Sequence, residues 1–180
     1  MLALIHNSEA LRASTLIERD PGRIVLLPES AGRMVVDYSK ALEERVMIGR
    51  YDYARPDITA SKFPIVGEGI VEFEFGYYLP RLRMPSEGVE KRIHLIDHAN
   101  PWMSARIEHV LVHGAMFPDV QRSKRVEGII GLGSSAQLND ARLVPILSGV
   151  GAQRHLSLTN WAWEWRLGYV FLAVRPVRAF

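Results

Sequence analysis

The segment Tyr169-Val170-Phe171-Leu172-Ala173-Val174 constrains the fold more than any other part of this chain. In an extended backbone Tyr169, Phe171 and Ala173 point one way and Val170, Leu172 and Val174 the other, so both faces are apolar. A strand of that kind is usually central in its sheet and covered twice. The run ends at Arg175, far short of the roughly 20 residues that a membrane-crossing helix needs.

Other stretches supply the rest of a sheet and its helices. Val71, Phe73, Phe75 and Tyr77 alternate with Glu72, Glu74 and Gly76, which predicts a half-buried strand over Ile70 to Leu79. Arg23 to Leu27 and Arg33 to Asp37 flank turn residues 28–32 and read as a hairpin. Ser8 is a candidate cap for a helix reaching about Glu18. Ser39 precedes a helix over Lys40 to Ile48, with Gly49 as its left-handed C-terminal residue. Further helices are expected from Ser86 and from about Met103 to His113, stopped by Pro118. Strand-like segments Val126–Leu132, Arg142–Leu147, His155–Leu158 and Trp165–Val174 follow, spaced as in a meander.

The 180 residues, 48% of them hydrophobic, suit one domain over 1–180, with a mixed α/β part at 1–120 and a β-meander part at 121–180. The expected class is α+β: a mostly antiparallel sheet with three or four helices on one side and a β-rich C-terminal third. With no cysteine, disulfides, thiolate nucleophiles and cysteine metal sites are excluded. Neither a basic start nor an extended apolar run marks the N-terminus, so a cytoplasmic location with no membrane partner is the default expectation.

Two groups of short motifs resemble a family of uncharacterised bacterial proteins. The first is Tyr38-x-x-x-Leu42, Gly49-Arg50-Tyr51-Asp52, Asp57-Ile58-Thr59 and Phe63-Pro64. The second is Phe117-Pro118-Asp119-x-Gln121-Arg122, Gly131-Leu132-Gly133-Ser134 and Phe171-Leu172-Ala173-Val174-Arg175. The resemblance covers residues 35 to 175. It implies a bacterial, intracellular protein and brings no activity with it.

Charge is uneven. Residues 121–180 hold eight basic and three acidic side chains, 8 − 3 = +5, which leaves 2 − 5 = −3 for the rest of a +2 chain. Such asymmetry suits either an anionic partner or copies that dock on one another, here through the C-terminal β region.

Candidate chemistry is sparse. His94 and His98, and His109 and His113, sit four apart on expected helices, but no third metal ligand can be named. Gly128-x-x-Gly131-x-Gly133-Ser134 runs into another strand, so close packing is favoured over phosphate binding. Glu72 and Glu74 are what a wet strand face needs. Two candidate binding groups remain. Tyr51, Asp52, Arg55 and Asp57 lie in an aperiodic stretch able to bind a small polar ligand, or to satisfy turns around Pro56. Trp161, Trp163 and Trp165 repeat with period two beside Arg166; core is the commonest fate for such a row, and Trp163, its middle member, is expected to be walled in.

No catalytic residue, metal or cofactor is assigned. The leading reading is a non-catalytic binding or assembly module whose partner is itself or another protein. A nucleic-acid or polyanion binder using the basic, Trp-rich C-terminal third is the alternative, and a small hydrolase or transferase the third.

Overall fold

The computed structural model describes residues 24–26, 32–122 and 126–177. The helix expected over Ser8 to Glu18 lies outside the described residues. Ten strands form one sheet: β1 (Ile24–Leu26), β2 (Arg33–Asp37), β3 (Tyr53–Ala54), β4 (Ile70–Tyr78), β5 (Met103–Ser104), β6 (Gly128–Ile130), β7 (Ala136–Leu138), β8 (Ala141–Val150), β9 (Gln153–Asn160) and β10 (Tyr169–Pro176). The helices are α1 (Leu42–Gly49), α2 (Ser86–Leu95), α3 (Ile107–Met116) and α4 (Pro118–Arg122). The class is α+β.

The sheet runs β1-β4-β10-β6-β8-β9-β3. Pairing is antiparallel except for β10 with β6 and β9 with β3. Short strands share the edges of long ones. β1 lies against Gly76–Tyr78 and β2 against Ile70–Glu74, so the two run end to end along β4. The expected hairpin between them is therefore not formed, because β4 is long enough to pair with both. On β10, β6 takes the first half of one edge and β5 the second. The stretch expected to open a helix at Met103 instead spends Met103 and Ser104 on that pairing, and α3 starts at Ile107.

Turns follow the local chemistry. Asn139 and Asp140 both take positive φ, 48° and 61°, between β7 and β8, as a tight two-residue hairpin requires. The left-handed residue after α1 is Arg50, φ 48°, and not Gly49. Gly49 is reserved for a close approach: a Cβ there would strike the Tyr51 ring.

β10 is central and covered twice. Val170, Leu172 and Val174 join Phe73, Phe75 and Tyr77 of β4 under α1 and α3. Phe171 and Ala173 join Tyr78, Trp161 and Trp165 under α2, through Val89 and Ile93. Helices thus cover both faces and not one, because a strand apolar on both sides cannot leave either of them wet.

Candidate binding surfaces

Residue Tyr51 ends the turn after α1, and its ring lies in the space left by Gly49 and Gly114. Above it stands Arg154, whose guanidinium carbon is 5.1 Å from the ring centre. Arg154 is buried and donates to the carbonyls of Gly49 at 2.9 Å and Gly114 at 2.6 Å. Asp52 accepts the Arg154 backbone N–H at 2.7 Å. Burial pushes the Tyr51 hydroxyl well above its ordinary titration range. Arg55 and Asp57 stand apart from this group: Asp57 accepts from Arg55 at 3.0 Å and from Lys62 at 2.6 Å, and these bonds hold its carboxyl below the usual range. The four residues thus divide between a latch on the buried Arg154, to which half-buried Tyr51 and exposed Asp52 contribute, and a half-buried ion cluster of Arg55 and Asp57.

The two histidines of α3 face the sheet. His109 Nδ1 accepts the Arg106 N–H at 3.0 Å, and its ring meets Phe73 edge-on with centroids 4.6 Å apart. His113 Nε2 lies 2.6 Å from the Tyr77 hydroxyl. Burial depresses both imidazoles to about 3, so both are neutral. Glu108 pairs with Arg106 at 3.1 Å, yet burial raises its carboxyl above the ordinary value. His94 and His98 are exposed. Among the described residues no three histidine, aspartate or glutamate side chains are grouped to hold a metal. The glycine segment packs closely, as its composition suggests: a Cβ at Gly131 or Gly133 would strike the backbone at Ala105 or Ser104. Ser134 Oγ accepts the Ile107 N–H at 3.0 Å.

The tryptophan row is broken by a turn. Trp161 and Trp163 follow β9 in a bend closed by Trp163 N–H to the Asn160 carbonyl, 3.3 Å. The expectation that Trp163 is walled in is overturned: it is 53% exposed, whereas Trp165 is fully buried and Trp161 nearly so. Period two holds only where the backbone stays extended. Ser86, the first residue of α2, pins the buried pair: its hydroxyl donates to the Trp161 carbonyl at 2.6 Å and accepts from Trp165 Nε1 at 2.8 Å.

Most of the described arginines behind the C-terminal charge excess are engaged within the fold. Arg142 lies 3.6 Å over Trp161, and Arg175 binds Glu74 at 2.7 Å and Asp97 at 3.0 Å while covering Trp102. Arg154 serves the latch described above. Arg166 reaches Glu127 at 2.7 Å on the surface.

A groove that the sequence did not signal lies between β2, α1 and α3, with a volume of about 380 Å³. Val35, Ile48, Leu111, Val112, Ala115 and Met116 line it, and Arg33, Asp37, Lys40 and Arg45 edge it. Its residues come from three separate segments, and only the exposure of Val35, Met47 and Ile48 on otherwise regular elements hints at it.

No family model, curated protein or solved structure matches this chain. Among the described residues no helix is long and apolar enough to cross a membrane.

Proposed function

We propose that this chain is a non-catalytic assembly module that pairs with a second copy of itself across the groove between β2, α1 and α3. One observation carries the reading. The apolar walls of the recess are themselves open to solvent: Val35, Ile48 and Met116 line it and are exposed, and Met47 is exposed on the same helix as Ile48. An exposed apolar patch of this kind marks a contact surface, and a two-fold contact with a second copy would cover it in both chains.

The rim supports it. Arg33 and Glu72, 3.4 Å apart, and Lys40 and Glu44, 3.0 Å apart, are exposed pairs of opposite charge. Such pairs contribute about 0–1 kcal/mol, so exchanging partners across a two-fold axis costs little. Among the described residues that line the groove there is no histidine, hydroxyl or thiol, which favours docking over turnover. The surface differs from the C-terminal β region that charge asymmetry suggested, because the arginines of that region are largely occupied.

Sedimentation equilibrium tests the reading. The wild-type chain is expected to dimerise and Ile48→Glu to sediment as a folded monomer. Because the chain lacks cysteine, mixing Met47→Cys with Ala115→Cys under mild oxidation should give a disulfide-linked heterodimer. A wild-type protein that stays monomeric at every concentration sinks the proposal.

A further inference from the structure

After β4 the chain runs out through Arg81, Leu82 and Arg83 and meets the segment before β10 at one antiparallel bridge. Trp165 N–H donates to the Met84 carbonyl at 3.0 Å, and Met84 N–H returns to Trp165 at 3.4 Å. Both bridge residues are buried, and the Trp165 indole is fixed to Ser86 from below. Two short segments are therefore mounted firmly while their tips project. Leu82 is 72% exposed, Leu167 62% and Trp163 53%.

Between the tips lies a cleft of about 420 Å³, walled by Arg81, Leu82, Arg83, Arg166 and Leu167. Glu127 orients Arg166 with two bonds, at 3.1 and 2.7 Å. The same mixture of cations and apolar side chains continues on α2, where Lys91, Arg92, Leu95 and Ile96 edge a second recess.

We propose that the paired segments around Leu82 and Leu167 dock the protein on an anionic lipid surface. Convex aliphatic tips flanked by guanidinium groups match the two layers of such a surface: leucines enter the acyl boundary while arginines meet anionic headgroups. Trp163, exposed on the other side of the bridge from Leu167, adds an indole of the kind that sits at headgroup level. Single-stranded nucleic acid fits less well, since it is held by stacking on aromatic faces. Of the four tryptophans only Trp163 is exposed, and leucine has no ring to offer a base. The contact is with a surface and involves no span. It shares no residue with the groove of the proposed dimer, so either proposal can fail alone.

Flotation with vesicles of phosphatidylcholine, with and without phosphatidylserine, tests the inference. The protein is expected to float with the phosphatidylserine vesicles only, and added salt should weaken the association. Tryptophan emission should shift to the blue on binding, and Trp163→Phe should abolish that shift because the other three indoles are already buried. Leu82→Ser with Leu167→Ser should remove flotation, and Arg83→Gln should weaken it about fivefold, both with unchanged melting temperature. Absence of flotation overturns the proposal, as does flotation indifferent to these substitutions. Binding of a labelled oligothymidylate that depends on Trp163 and Arg83, without flotation, would transfer the surface to nucleic acid.

Discussion

Arg154 donates a 2.6 Å hydrogen bond to the carbonyl of Gly114, and this contact ties β9 to the last turn of α3. The same guanidinium reaches the carbonyl of Gly49, the last residue of α1. One buried cation therefore satisfies carbonyls at the negative ends of two helices, where a positive charge is favoured by the helix dipole.

Replacing that cation should be costly. Arg154→Met keeps most of the volume but takes the side-chain donor from the buried Gly49 carbonyl and leaves the Gly114 carbonyl only the longer bond from Gln121, 3.4 Å, at about 1–3 kcal/mol for each loss. A total loss of about 3 kcal/mol in urea unfolding is expected. Arg154→Lys should recover only part of it, because an ammonium cannot reproduce the fork of donors. Wild-type stability in Arg154→Met would show that the latch contributes nothing.

Tyr51 and Gly114 are expected to be energetically coupled. A Cβ on Gly114 would overlap the Tyr51 hydroxyl, whose bond to the Leu111 carbonyl is long at 3.5 Å. Gly114→Ala should therefore destabilise by about 1–3 kcal/mol through overpacking. Tyr51→Phe alone removes little, and in the double variant much of the loss should return. A double-mutant cycle measures this; additive effects would place the alanine strain elsewhere.

The tryptophan turn makes a contrasting pair. Trp165→Ala empties a fully buried site bounded by Tyr169 and Phe171, with ring centroids at 5.5 and 5.4 Å, and should cost about 3–5 kcal/mol. Trp163→Ala, at an exposed site, should stay within about 0.5 kcal/mol of wild type. Ser86→Ala removes the hydroxyl joining Trp161 and Trp165 and should cost about 1–3 kcal/mol. Thermal melts of the three variants check the order.

These sites show where local sequence patterns stop being informative. β4 and β10 were legible because alternation and a two-faced apolar run are local properties of one segment. The Asn139-Asp140 turn was legible for the same reason. The face of α3 was not, since His109 and His113 look like solvated residues at a helix border until Phe73 and Tyr77 of a strand 36 positions earlier close over them. Likewise, the latch joins residues about a hundred positions apart, Asp52 and Arg154. Trp163 was misplaced because a bend after Asn160 interrupts the period on which its assignment rested. The groove is composed by tertiary packing, so no single stretch carries its signature.

The histidines of α3 also fix how stability depends on acidity. Both imidazoles fall from an ordinary 6.5 to about 3 because burial disfavours their charged form. In the unfolded chain they protonate near pH 6.5, whereas in the native protein they stay neutral to about pH 3. Within that window the unfolded state binds more protons, so stability falls as pH falls. Above the unfolded value neither state is charged and the penalty vanishes. Each histidine approaches a slope of about 1.4 kcal/mol per pH unit below its unfolded value, so the pair should remove roughly 3 kcal/mol between pH 6.5 and pH 5. Glu108 acts in the opposite sense: its raised carboxyl makes the native state hold a proton that the unfolded chain has released, so its contribution weakens as pH rises. Comparison with a variant isolates the histidine part. His113→Gln retains a group able to hydrogen-bond Tyr77 but does not titrate, and it should reduce the pH slope of urea-unfolding free energy by about 1.4 kcal/mol per unit across the window. A slope identical to wild type would mean that His113 protonates without unfolding the protein, and that its site is open to water.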